Sequence, residues 1–368
     1  MISKLKIKNY KSFAMETEID LAPLNIITGG NSSGKTSLLE TILLIRQSQE
    51  HDCLNGSLKY LGDFNNIKNN QTLEDYVYIS AVIDGKDYSF KFGENSNLIP
   101  PSIKNINNIF YLSAERIGIR DIYEKNRRNT FFNSTGEQLV SLLNEFKDDR
   151  KLGKHYAKFF VEEENIENIV ELPILDESLL TTKKGFLTGK ESFIEIVNIW
   201  MRILTGYEVE CRELRNTNYV QIIYSKDSHE YKPQHVGTGV TFILFQIIAT
   251  LISENDNILI IENPEIHLHP SLQSRIMYFY LWVSKHGKQI IIETHSDHLF
   301  NSGRYYKVKE ENCNILFVTI EDNEDMEGNS YYSSSVKNIQ IGEFGEVLND
   351  QPGLFDQYLI DLERIMED

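Results

Sequence analysis

Cysteine is scarce in this chain: Cys53, Cys211 and Cys313 stand far apart and form no C-x-x-C pair. That excludes a disulfide framework and a cysteine-built zinc site, and it fits a reducing cytoplasm, the location expected here. Long apolar runs are missing too. The N-terminus, Met1-Ile-Ser-Lys-Leu-Lys-Ile-Lys-Asn-Tyr10, alternates apolar and basic residues like a strand and not like a leader, so no membrane association is expected. Positive charge is in deficit, with 37 Lys+Arg against 54 Asp+Glu and a net charge of −17. A uniformly basic, histone-like surface is excluded, but nucleic-acid contact stays open because it needs only a local patch. No a/d heptad persists for three repeats, no internal repeat occurs, and Ser333-Ser-Ser335 is too short to be a low-complexity tract. The length of 368 residues allows one large core or two smaller ones, with the apolar and charged fractions of a soluble globular protein.

What the chain does contain is a phosphate loop. Gly29 to Thr36 reads Gly-Gly-Asn-Ser-Ser-Gly-Lys-Thr and meets every fixed position of G-x-x-x-x-G-K-[ST]. The apolar run Leu24-Asn-Ile-Ile-Thr28 predicts a strand before it, and Ser37-Leu-Leu-Glu-Thr-Ile-Leu-Leu-Ile45 predicts a helix after it. Gly29, Gly30 and Gly34 let the backbone bend, so that N–H groups along Asn31, Ser32, Ser33 and on to Ser37 face the phosphates of ATP at a helix N-terminus. Lys35 is expected to reach the β and γ phosphates, and the Thr36 hydroxyl to ligate Mg²⁺. ATP and Mg²⁺ are therefore the expected cofactors. The plain alternative, a Gly/Ser-rich turn capping a helix, is disfavoured by the flanks.

Strands are predicted at 2–9, 16–21, 24–28, 76–83, 86–92 and 109–113, with Asp84-Gly85 joining a hairpin. Between about 120 and 235 the pattern turns helical (136–147, 191–204), with one β-like run at 219–224. From 236 strand and helix alternate again: helices 240–253 and 270–285, strands 257–262, 288–293 and 314–320. The expected fold is α/β, a P-loop NTPase with a mainly parallel sheet, N-terminal antiparallel strands and a mainly helical insertion. Three segments follow: an N-lobe at 1–119, the insertion at 120–235 and a C-lobe at 236–368.

Ile258-Leu-Ile-Ile261 runs into Glu262-Asn-Pro-Glu265, a buried strand that delivers acids at its carboxyl end, where ligands sit in open α/β sheets. Glu262 stands where a carboxylate usually holds Mg²⁺. A bland reading has these acids capping the next helix. Ile290-Ile-Ile-Glu-Thr-His295-Ser296 is another apolar strand, and its His295 can hydrogen-bond the γ-phosphate or the attacking water.

The order of phosphate loop, Val236-Gly-Thr-Gly239, Ile-Glu-Asn-Pro-Glu-Ile-His-Leu-His-Pro270 and Glu-Thr-His-Ser296 resembles the ABC-type ATPases of the SMC, Rad50 and OLD group. It looks closest to a bacterial AAA-like branch with an uncharacterised C-terminal domain, which Tyr111-Leu-Ser-Ala-Glu-Arg-Ile-Gly118 and Asp350-Gln-Pro-Gly-Leu-Phe-Asp356 also resemble. The resemblance implies an ABC-ATPase head in which Gly237 and Gly239 form a signature loop that binds the γ-phosphate held by an opposite subunit. A homodimer or higher oligomer would then enclose two composite sites. His267-Leu-His-Pro270 would lie at the dimer seam, and Ala114-Glu-Arg116 at the Q-loop, although no Gln is present there. Asn263 occupies the place of the usual catalytic Glu, and Asn cannot act as a general base. Either Glu265 polarises the water, or hydrolysis is slow and ATP works as a clamp.

Among other candidates, Arg116, Arg120, Lys125, Arg127 and Arg128 surround Tyr123, but Asp121 and Glu124 dilute them, so a solvated face outweighs phosphate contact. Glu162-Glu-Glu164 reads as solvated surface. His267 with His269, or His295 with His298, lacks H-E-x-x-H spacing for zinc. Phe344, Leu354, Phe355, Tyr358, Leu359 and Leu362 predict a short strand and a closing amphipathic helix packed on the sheet. The leading function is a dimerising ATPase head that controls a separate effector protein such as a nuclease, in anti-phage defence. Two alternatives are an ATP-switched DNA-binding or genome-maintenance module with little turnover, and part of an OLD-like nuclease whose nuclease is a separate chain.

Overall fold

The computed structural model describes residues 1–50, 52–93, 108–125, 132–162, 190–252, 256–309, 312–324, 328 and 330–367. Arg127, Arg128, Glu163 and Glu164 lie outside the described residues. Two compact units emerge: Met1–Tyr111 with Asp256–Asn263 and Gly287–Asp368, and Leu112–Asn255 with Pro264–His286. They divide the chain differently from the three sequence segments, because 236–255 and 264–286 group with the insertion.

The first unit holds two sheets. β1 (Ile2–Lys8), β2 (Thr17–Asp20), β4 (Tyr76–Ile83) and β5 (Lys86–Gly93) form an antiparallel sheet in the order β2-β1-β4-β5. Alternate residues of β4 are buried, so the sheet offers one face to the core. Its hairpin turns at Asp84 (φ 49°) and Gly85 (φ 75°), the positive-φ pair that matches strand twist. The larger sheet has β3 (Leu24–Gly29), β6 (Ile109–Leu112), β11 (Ile258–Glu262), β12 (Gln289–Glu293), β13 (Cys313–Glu324) and β14 (Ser330–Asn338) in the order β14-β13-β3-β12-β11-β6. The pairs of β3 with β12 and β13, and of β11 with β12, are parallel; β14 runs antiparallel to β13. Every residue of β11 and β12 is buried, as expected of strands covered on both faces. Helix Lys35–Gln47 joins both sheets in one core: Leu38, Leu39, Ile42 and Leu43 pack in the same apolar cluster as Ile7, Ile79, Ile260 and Ile291.

The second unit contains helices Leu139–Phe146, Arg150–Glu162, Phe193–Thr205, Thr238–Leu251 and Pro270–Lys285. It also holds β7 (Ile122–Glu124), β8 (Glu208–Glu213), β9 (Tyr219–Lys226) and β10 (His229–Tyr231), of which the sequence announced only β9. Glu208-Val-Glu-Cys-Arg-Glu213 escaped notice because its outward face is charged and only Val209 and Cys211 are buried. Rings of Trp200, Trp282 and Phe160 pack with centroids 4.8–5.8 Å apart and anchor this core.

The C-terminal helix needs a correction. Gln357–Glu367 is helical, but Ile360, Leu362, Ile365 and Met366 are exposed, so the described apolar side chains of the helix do not pack on the sheet. Burial ends before the helix begins, at Leu354, followed by the half-buried Phe355, whose ring lies 4.9 Å from that of Phe300. The side chains of Tyr358 and Leu359 are outside the described residues, and Phe344 is 95% exposed.

Candidate functional site

β3 delivers the phosphate loop through a glycine that no other residue can replace. Gly29 has φ 144°, and a Cβ there would lie 2.1 Å from the Val318 carbonyl oxygen on the neighbouring strand. Gly34, at φ 106°, precedes helix Lys35–Gln47, and a Cβ there would fall 2.5 Å from Ser12 Oγ and 2.6 Å from Ser334 Oγ. The loop is clamped from β14: Ser334 Oγ donates to the Ser33 carbonyl (2.6 Å), and Ser334 N donates to the Ser12 carbonyl (2.7 Å). Gly30, Asn31 and Ser32 form its exposed rim, whereas Ser33 is buried with an Oγ that has no hydrogen-bond partner among the described residues. Lys35 is 4% exposed, and its ammonium donates to the carbonyls of Gly29 (3.0 Å) and Gly30 (2.6 Å). Burial lowers the Lys35 pKa, with the Glu293 charge opposing.

Two carboxylates meet this loop. Glu262 and Glu293 end β11 and β12 and are direct neighbours in the parallel register. Thr36 Oγ1 donates to Glu293, at 3.1 and 3.3 Å from its two oxygens. Burial pushes the Glu293 carboxyl up to about 7, with the Glu262 charge adding to the effect and Lys35 and Thr36 opposing it. Glu262 is itself buried and lies 3.4 Å from Lys59 Nζ. Glu293 was given no role from sequence, yet the signal was there: Ile258-Leu-Ile-Ile-Glu262 and Gln289-Ile-Ile-Ile-Glu293 are strands of equal length, each ending in an acid. Lys59 carries no such signal, being 203 residues from Glu262.

Asn263 N donates to the Glu293 carbonyl (2.8 Å), and the residue adopts φ 42°. Its Oδ1 is buried with no hydrogen-bond partner among the described residues. Thr294 N donates to the Ile27 carbonyl (2.9 Å), which ties the end of β12 to β3 just before the exposed His295. Lost hydration, then the Lys35 charge, hold the His295 imidazole below its usual pKa. An oxygen donor set of Thr36, Glu262 and Glu293 suits a hard cation such as Mg²⁺, and the cradle at Gly29, Gly34 and Lys35 suits a polyphosphate.

The remaining candidates belong to the second unit. Gly237 is exposed and precedes helix Thr238–Leu251, with open space where a Cβ would stand. Gly239 is needed for packing: a Cβ there would come within 2.8 Å of the His267 carbonyl oxygen. Glu265 is half-buried, and its carbonyl accepts from Leu268 N (2.9 Å). His269 caps helix Pro270–Lys285 by accepting from Ser271 N, and the His267 ring lies against Phe242. In the basic stretch Arg116 is buried, Arg120 pairs with Glu137 (3.0 Å) and Lys125 pairs with Glu213 (2.6 Å), so its described members serve the fold.

Comparison with known proteins follows the same lines. The profile of the family described as "AAA domain, putative AbiEii toxin, Type IV TA system" matches residues 24–301, from β3 into the helix after His295. The chain belongs to this AAA-domain family. It is 22% identical over 361 residues to an OLD nuclease of Thermus scotoductus, covering 88% of this chain and 65% of the nuclease. It is also 45% identical over 56 residues to an ATP/GTP phosphatase of Helicobacter pylori, 15% of each chain. It thus spans less than two thirds of either curated relative. The fold is that of the SMC head domain from Thermotoga maritima (TM-score 0.50, 12% identity, 92% of this chain and 99% of that one). An SMC head bound to the C-terminal winged-helix domain of ScpA is equally similar (TM-score 0.50, 13% identity, 93% and 98%). At the level of the family this is an AAA-domain chain, for which nucleotide use is implied, with the fold of an SMC head and a likeness to an OLD nuclease. No described helix is long and apolar enough to cross a membrane.

Proposed function

We propose that this AAA-domain chain binds and hydrolyses ATP, closes on a second copy of itself around Mg-ATP, and uses that closure to control a separate effector protein. The observation that carries the reading is the gathering of Lys35, Thr36, Glu262 and Glu293 around the carboxyl ends of β3, β11 and β12, beside the glycine cradle. Lys35 would exchange its bonds to the Gly29 and Gly30 carbonyls for phosphate oxygens. Thr36 and Glu262 would hold the cation, with Glu293 next to them. When bound, Mg²⁺ would neutralise developing charge on the transferred phosphoryl group. His295 stands at the edge of this site with a lowered pKa, so at neutral pH its imidazole is neutral and can accept a hydrogen bond from a water or donate one to a phosphate oxygen.

Gly237 supports the shared-site part of the proposal: it leaves the start of helix Thr238–Leu251 exposed, where a phosphate of a second copy could dock on N–H groups. The test is Gly237→Asp. Its side chain meets open space and its φ of −58° suits any residue, so the protomer should fold. Light scattering should show wild type rising toward dimer mass with Mg-ATP while Gly237→Asp stays monomeric. A wild type that remains monomeric with ATP bound removes the composite site.

A second reading is favoured by Asn263, whose amide cannot take a proton from water: an ATP-switched binding module with little turnover. Steady phosphate release, measured with and without DNA, separates the two. The likeness to the OLD nuclease supports a nuclease as the effector; that link, like a role in anti-phage defence, is an analogy of family and carries no chemistry of its own.

A further inference from the structure

The carboxylate that ends β11 already has a cation of its own. Lys59 lies in the loop that follows the phosphate-loop helix, and that loop is fixed to the end of the helix. Gln47, fully buried, accepts from Leu58 N (3.1 Å) and Lys59 N (2.7 Å) through Oε1, and donates from Nε2 to the Cys53 carbonyl (2.8 Å). From this anchor the Lys59 ammonium reaches Glu262 Oε1 (3.4 Å) and the Tyr111 hydroxyl (3.2 Å), and lies 5.6 Å from the centre of the Tyr111 ring. Tyr111 is 1% exposed, so the ammonium is held between a carboxylate and the hydroxyl end of a buried aromatic ring. A surface lysine has no reason to be held at three points. Here the helix that begins at Lys35 ends at the residue that sets Lys59, so both ends of one helix present an amine to the same pair of acidic strands.

We propose that Lys59 is a positioning residue that occupies Glu262 in place of a divalent cation while no nucleotide is bound, and gives up that carboxylate when the cation enters. The proposal rests on the cation reading of Glu262 given above and names the internal group against which the cation must compete. Without Lys59 the buried pair Glu262 and Glu293 would lose a neighbouring cation, leaving Lys35 and Thr36 beside Glu293 and the Tyr111 hydroxyl beside Glu262, a loss that a divalent cation relieves. Lys59 thus guards against loading by free metal and makes cation entry depend on a nucleotide that brings its own phosphate ligands.

The experiment uses Mn²⁺ as probe, without nucleotide, and reads the loss of its free-ion EPR signal with the full chain. Lys59→Met should bind Mn²⁺ about threefold more tightly than wild type, the factor set by about 0.7 kcal/mol of displaced ion pair. Lys59→Arg should behave as wild type, and adding Glu262→Gln to Lys59→Met should abolish the gain. Mn²⁺ should also raise the melting temperature of Lys59→Met more than that of wild type. Equal or weaker Mn²⁺ binding by Lys59→Met overturns the proposal. A measurement on wild type covers the case in which that variant does not fold: acylation of Lys59, read by peptide mass, should speed up about threefold once Mn²⁺ saturates the site and the ion pair is released. An unchanged or slower rate overturns the proposal equally. ATP binding by wild type, followed by calorimetry, fails only if the nucleotide reading itself is wrong.

Discussion

Replacing Glu293 by Gln should stabilise the nucleotide-free protein, and by an amount that depends on pH. The carboxyl is raised from its ordinary 4.5 to about 7, mainly by burial and then by Glu262. For an acid raised in this way the folded state binds more protons than the unfolded one between those two values. Stability is therefore fully present below the lower value and is lost as pH rises through the higher. At 1.36 kcal/mol per tenfold change in proton affinity, the gap amounts to about 3 kcal/mol near pH 8 and about 1 kcal/mol near pH 5. Gln keeps an oxygen to accept from Thr36 and carries no charge, so it avoids this cost at a loss of about 1 kcal/mol in hydrogen bonding. Thermal unfolding should place Glu293→Gln about 3 °C above wild type near pH 8, with the advantage gone near pH 5. Because the comparison is between two proteins at one pH, titrating groups not coupled to Glu293 cancel. A variant less stable than wild type near pH 8, or a difference that ignores pH, would refute the idea that the site stores a buried, destabilised carboxylate.

Two further outcomes follow from the geometry. Ser334→Ala removes the hydroxyl that clamps the Ser33 carbonyl, at a cost of about 1–2 kcal/mol, and should weaken ATP binding about tenfold by calorimetry; an unchanged affinity would mean that β14 does not hold the loop. Glu265→Gln should cut steady phosphate release at least about tenfold while ATP affinity stays as in wild type; equal rates would take Glu265 out of the chemistry.

The phosphate loop and the acid strand were legible in the sequence because each combines a fixed motif with a run of apolar residues whose burial is total: Leu24 to Thr28 and Ile258 to Glu262 announce parallel strands by composition alone. Partners remote along the chain were not legible. Glu293 needed the register that sets it beside Glu262, and Lys59 needed the loop that Gln47 pins. Ser334 sat in a serine run that composition dismissed, although its hydroxyl bonds the phosphate loop 301 residues away. Gly239 reads as part of a signature loop from motif order, and motif order could not show the second reason for its lack of a side chain, the His267 carbonyl behind it. At the C-terminus apolar spacing predicted a packed helix; helix formation needs only local bonds, whereas packing needs a surface to meet, and Ile360 and Ile365 stay exposed.

The central claim is that Lys35 and its cradle bind a nucleoside triphosphate, and calorimetric titration of wild type and Lys35→Ala with Mg-ATP tests it most directly. Saturable binding by wild type, weakened at least about a hundredfold in Lys35→Ala because charge-assisted bonds to phosphate are gone, is the predicted result. No binding by wild type, or equal affinity in the two proteins, would contradict the account.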